Sequence, residues 1–153
     1  MFVCADKAAQ SQATFYARGL TSRTGDNAYS TGDRLVYQTP LLKPGDQYNN
    51  ITGEYTCPTT GVYLFVYAVQ GAYIRKSGSH SRGTASLYRG GERVSEAYYS
   101  NNNDDNTYLT LSNADIVDCK AEQRVWVQSD WDRNFILGFT KRTAFGGVLL
   151  YTT

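Results

Sequence analysis

The segment Ser129-Asp130-Trp131-Asp132-Arg133-Asn134-Phe135 carries the side-chain types that sugar recognition requires. An indole presents a flat apolar face to the C–H faces of a pyranose, while carboxylate, guanidinium and amide groups pair with its hydroxyls. Trp131 would stack, and Asp132, Arg133 and Asn134 would hold the hydroxyls. The competing reading is a tryptophan that caps a sheet edge. A basic pair, Arg75-Lys76, with Arg82 nearby in sequence, suits phosphate or carboxylate groups such as those of bacterial glycolipids. Against it stands the plainer reading of a solvated charged run. Asn101–Asn106 is an oxygen-rich stretch in which Asn103, Asp104 and Asp105 are candidate calcium ligands, because hard cations take several carboxylate and carbonyl oxygens on an adaptable loop. A solvated turn accounts for the same composition.

Catalysis finds no such constellation. The single histidine, His80, lies in the polar run Arg75–Arg82, and there is no nucleophile elbow, phosphate-cradling glycine loop or HExxH. Without a geometry of acid, base and nucleophile to propose, the chain reads as a non-enzyme. Net charge is +1 and charged residues make up 19% of the chain, so bulk electrostatic capture of nucleic acid or acidic membrane is not expected. No apolar run approaches the ~18–20 residues that span a bilayer. Cys4, Cys57 and Cys119 have no CxxC spacing and no histidine-rich surroundings, which argues against structural zinc. Their odd number leaves at least one thiol free or bonded to another chain. Cys57 reads as a buried strand-end residue, and a Cys4–Cys119 bridge stays open. The opening MFVCA is too short for a signal peptide, and a removed signal fits as well as a cytosolic origin. The sequon Asn50-Ile51-Thr52 makes Asn50 a candidate glycosylation site and favours secretion.

The elements that must position these residues read as short strands. At 153 residues the chain is one domain, long enough to bury about 70% of its unfolded surface. Thirteen tyrosines supply rings that bury well in pleated sheets while keeping a polar rim. Strands are expected at Thr14–Arg18, Arg34–Tyr37, Glu54–Cys57, Val62–Val69, Ala85–Tyr88, Val94–Tyr99, Thr107–Leu111, Arg124–Gln128 and Ala144–Tyr151. Between them fall turn residues, such as Pro44-Gly45-Asp46, Thr52-Gly53 and Gly90-Gly91. This spacing predicts an all-β sandwich or jelly roll over residues 14–153, preceded by an N-terminal segment, 1–13. Val62–Val69 is apolar on both parities: Tyr63, Phe65, Tyr67 and Val69 face one way, and Val62, Leu64, Val66 and Ala68 the other. A strand oily on both sides needs cover on its outer face, either from loops or from another subunit, and interface composition favours the subunit.

The stretch Tyr48–Tyr67 and the closing Ala144–Tyr151 resemble the globular head domain of complement component 1, subcomponent q, whose jelly roll is shared with the tumour necrosis factor superfamily. Tyr48, Gly61, Tyr63, Phe65 and Tyr67 match the second half of that family's signature. Tyr37 and Tyr55 stand where phenylalanine is usual, and Lys43 where asparagine is. The string TGEYTCPTTGVY is similar to the family's T-G-x-F-T-C-P-x-x-G-x-Y. Leu87–Glu92 and AFGGVLLY resemble its hairpin and its closing strand, so the likeness runs from Thr14 to Tyr151.

The resemblance implies a ten-stranded jelly-roll sandwich that assembles as a compact homotrimer, here in a head-only form without a collagen stalk. It places Leu64, Val66 and Phe145 toward the threefold axis, leaves Tyr63, Phe65 and Tyr67 to fill the sandwich, and puts calcium near the apex. For function it implies a secreted, lectin-like sensor in innate immunity that binds carbohydrate or lipopolysaccharide on microbial surfaces. The alternatives are a hormone- or cytokine-like receptor ligand and an extracellular matrix component.

Overall fold

The computed structural model describes residues 13–21, 29–73, 81–101, 108–131, 135–137 and 142–153. These form eleven strand segments: β1 (Thr14–Leu20), β2 (Tyr37–Leu42), β3 (Tyr48–Asn49), β4 (Glu54–Thr56), β5 (Gly61–Tyr73), β6 (Ser81–Arg89), β7 (Glu92–Asn101), β8 (Tyr108–Cys119), β9 (Arg124–Trp131), β10 (Phe135–Leu137) and β11 (Ala144–Thr152). They make two antiparallel sheets. One holds β10-β5-β11-β1-β2 with β8 on the free side of β5; the other runs β3-β4-β9-β6-β7. This is the expected sandwich, with the three-residue β10 as an additional short segment. Arg34–Tyr37 is not a continuous strand: Arg34 makes only an isolated bridge to Gln128, and β2 proper begins at Tyr37.

The core lies between the sheets and is largely aromatic. Alternation along β5 sends Tyr63, Phe65, Tyr67 and Val69 inward, where all four are buried. Phe15 of β1 stacks on Tyr55 and Tyr48 of the opposite sheet at ring-centre distances of 4.3 and 5.1 Å. Tyrosine serves here because its hydroxyl can reach a backbone carbonyl at the margin of the core. The Tyr48 hydroxyl donates to the Tyr37 carbonyl (2.9 Å) and accepts from the Tyr37 N–H (3.1 Å). Tyr63 donates to the Thr59 carbonyl at 2.7 Å, and Tyr67 to that of Ala85 at 3.2 Å.

Two glycine positions are dictated by shape. Gly90 and Gly91 turn the β6–β7 hairpin with φ of 59° and 96°, the left-handed pair that a two-residue hairpin loop needs. Gly147 sits against the core rings: a Cβ there would lie 2.6 Å from Cε1 of Phe65 and 2.8 Å from Cε1 of Phe15. Gly147→Ala is therefore expected to destabilise the fold by ~1–3 kcal/mol through overpacking. A melting curve checks this, and an unshifted midpoint would show that the rings move aside at no cost.

β8 buries Leu111, Val117 and Cys119 but departs from the usual alternation between them. Its inward Asn113 and Asp115 are polar, and Asp115 takes a short hydrogen bond from the Ser95 hydroxyl of β7, whereas its outward positions include Ala114 and Ile116, the latter 71% exposed. The β5–β8 register sets Ala114 beside Val66 and Ile116 beside Leu64.

Candidate functional site

Two surfaces follow from this register. The first is the outer face of the six-stranded sheet. Pairing carries one row of outward residues across five strands: Ala114, Val66, Gly146, Tyr16 and Leu42. The next row is Ile116, Leu64, Val148 and Thr14. Val66 is 37% exposed and flanked by alanine and glycine, so it lies on the floor of a trough. Two shallow hollows open there, of about 190 Å³ between Leu42, Leu64 and Val148, and about 400 Å³ between Tyr16, Ala68 and Ala114. A largely apolar patch of this kind, bordered by Thr14 and by the Arg18 guanidinium over Tyr16, is what an association surface looks like.

Leu64 and Val66 point outward as expected, but Phe145 does not accompany them. It pairs with Tyr67 and shares that residue's inward parity, and it is 0% exposed. Its ring lies 4.9 Å from Phe15, 5.9 Å from Tyr37 and 6.2 Å from Phe65. The outward position beside it belongs to Gly146. Phe145 is thus a core residue, and the expectation that it faces a subunit axis is corrected.

The second surface is the outer face of the five-stranded sheet. At one end it is closed: Trp126 stacks on Tyr88 at 5.6 Å with an interplanar angle of 10°, and the Arg34 guanidinium lies 4.4 Å above the indole. Arg34 also pairs with Glu54, which Arg124 approaches at 3.5 Å. Toward the other end the face opens into a polar groove of about 450 Å³. The register sets Asp130, Thr84 and Tyr98 in one row across β9, β6 and β7, with Gln128, Ser86 and Glu96 in the next. Thr31 donates to Asp130 Oδ1 (3.2 Å), Thr84 donates to the Asp130 carbonyl (3.0 Å), and Arg93 pairs with Glu96 (2.9 Å). Arg82 lines the same groove. Tyr98 is 60% exposed, an open ring beside carboxylate, hydroxyl and guanidinium groups.

The segment carrying Thr31 is held by β9: the Gly32 N–H donates to the Ser129 carbonyl (2.7 Å), and the Ser129 N–H donates to that of Asp33 (2.9 Å). Tyr98 could have been found from the sequence. Tyr98 and Tyr99 are adjacent on a strand, so one must face out while its neighbour packs on the core.

Of the expected ligand residues, only the backbone of Trp131 falls within the described residues. Trp131 ends β9, its backbone paired with Gly83. Asp132, Arg133, Asn134, Arg75, Lys76, Asn103, Asp104 and Asp105 lie outside the described residues. The strand ends that bracket them converge, however. Ser81 pairs with Asn101 and Gly83 with Trp131, while Tyr73 pairs with Phe135 and Ala72 with Tyr108. The three-residue link from Trp131 to Phe135 spans at most ~14 Å, so the two sets of ends share one pole of the sandwich. Asn50 is exposed in the turn after β3, its amide donating to the Gln38 carbonyl at 3.3 Å. Among the described residues no group of three or more His, Cys, Asp or Glu side chains could hold a metal, and no helix is long and apolar enough to cross a membrane.

No curated protein sequence matches the chain. Among solved structures, the globular domain of zebrafish complement 1qA superposes with a TM-score of 0.62 at 18% identity, covering 93% of this chain and 99% of that one. The Eiger TNF of S. frugiperda does so with the same score and identity, covering 92% and 93%. The family model described as the C1q domain matches residues 15–150, spanning the apolar face and the polar groove alike, and the chain belongs to the C1q domain family.

Proposed function

We propose that the protein is an extracellular, non-catalytic recognition domain that assembles in threes through the outer face of its six-stranded sheet and binds saccharide on microbial surfaces. Proteins of this family form trimers and are generally recognition or ligand proteins. The observation that carries the sugar reading is the open Tyr98 ring beside Asp130, Thr84 and Arg82, at the same pole as the strand ends that bracket the Trp131–Asn134 and Arg75-Lys76 segments. A ring of this exposure supplies a stacking face, and the planar polar groups supply hydroxyl partners. Three such sites on one rigid body bind a repetitive surface far more tightly than one, by effective concentration.

A glycan array followed by titration of the best sugar tests this reading. Tyr98→Ala and Trp131→Ala should each weaken binding about tenfold, the loss of one stacking contact. Binding unchanged in both variants removes the groove as the site. A protein that ignores every glycan, lipopolysaccharide included, but is retained saturably by a cell-surface receptor is a hormone- or cytokine-like ligand, the second reading.

A further inference from the structure

Cys57 and Cys119 are distant in sequence, and the fold brings them together. Cys57 opens the segment between β4 and β5. Its N–H donates to the Gln123 carbonyl (2.9 Å), and its carbonyl accepts from the Glu122 N–H (2.8 Å), which pins it beside the turn that follows Cys119. Cys119, the last residue of β8, is paired with Gly61, the first residue of β5. Both side chains belong to the core, at 0% and 2% exposure, and both are free thiols. The two thiols are close enough to perturb each other's ionisation, and both act on the Tyr55 hydroxyl.

We propose that Cys57 and Cys119 form a built dithiol site that closes to an intramolecular disulfide, tying the end of β8 to the segment that crosses from β4 to β5. The oxidant is a small or protein-borne disulfide of the thiol-exchange class. Cys119 attacks first. The neighbouring Cys57 thiol holds its pKa below the usual thiol value, with the Arg89 guanidinium adding to the effect, while burial opposes it. The Cys119 thiolate bonds to one sulfur of the oxidant and expels the other as a thiolate. Cys57 then loses its proton, attacks the Cys119 sulfur and expels the second oxidant sulfur. Two protons and two electrons leave the pair, and the oxidant's disulfide becomes two thiols. Because both groups are buried, exchange takes place while this corner is open, during folding or local opening.

The test uses the full chain refolded in a mixture of oxidised and reduced glutathione, then denatured, alkylated with iodoacetamide and digested. The expected product is a Cys57–Cys119 cross-linked peptide, with Cys4 alone alkylated. Reduction should lower the melting temperature by ~5–15 °C, as for a bridge that closes a long loop. A Cys4→Ser protein, which retains only the pair, should weigh two hydrogens less than its reduced form. Alkylation of both Cys57 and Cys119 after oxidative refolding, or a cross-link that uses Cys4, overturns the proposal.

Discussion

The Val66→Asp protein is expected to run in light scattering at the mass of one 17.0 kDa chain, where the parent runs at three times that mass. In the single chain this position is partly open to water, so the aspartate stays solvated and the fold tolerates it at ~1 kcal/mol or less, the range of strand preferences. In an assembly through this face the same carboxylate would enter a trough whose floor is Val66 between Ala114 and Gly146; the register places no cation within either row, and Arg18, which borders the first, is held over the Tyr16 ring at 5.5 Å. Burying an unpaired charge costs several kcal/mol per ion, and a threefold assembly meets that cost at every copy. Association is lost while the far-ultraviolet spectrum of the strands is kept. Ile51→Asp, on an exposed turn outside this face, is the control and should leave the mass unchanged. A Val66→Asp protein that keeps the parent mass would mean that this face is not the contact.

That face was half legible in the sequence. The apolar alternation on both sides of Val62–Val69 announces a strand that cannot be wetted, and the inward and outward sets it names are those observed. Only the start of β8 reads as strand in the sequence, within Thr107–Leu111; its middle is hidden because two inward positions between the buried Leu111 and Val117 are polar. Asn113 and Asp115 meet Tyr67 and Ser95 where the sandwich edge admits polar groups, which interrupts the apolar alternation after Leu111. With Leu111 and Val117 buried inside and Ala114 and Ile116 exposed outside, the strand carries apolar residues on both sides, the pattern the proposed association face requires. The polar groove was less legible still. It is assembled across β9, β6 and β7 by pairings between residues far apart in the chain, and only Asp130 and Arg82 fell within segments whose composition drew notice. The thiol pair escaped for the same reason, since nothing local to Cys57 or Cys119 names the other as its neighbour.

Phe145 shows where parity alone fails, and its removal separates the two roles it has been given. AFGGVLLY is apolar or glycine at every position, so no alternation marks which side faces in. The β5–β11 register decides the matter, setting Phe145 opposite Tyr67 and leaving Gly146 the outward place opposite Val66. Phe145→Ala is expected to cost ~3–5 kcal/mol, the range for deleting a buried aromatic ring. The rings of Phe15, Tyr37, Tyr48 and Phe65 that surround it are anchored in both sheets and cannot collapse fully into the space. For a domain of this length that loss lowers the melting temperature by ~6–20 °C, compared with the parent at equal chain concentration because association also raises the midpoint. Below the transition the mass in light scattering should stay that of the parent, since no atom of the ring is exposed on the outer face. The opposite pattern, a melting temperature held and an assembly lost, would return the ring to a subunit contact. Paired with Val66→Asp, which should dissociate the chains while preserving the fold, the two substitutions assign the two sides of one sheet by two independent readouts.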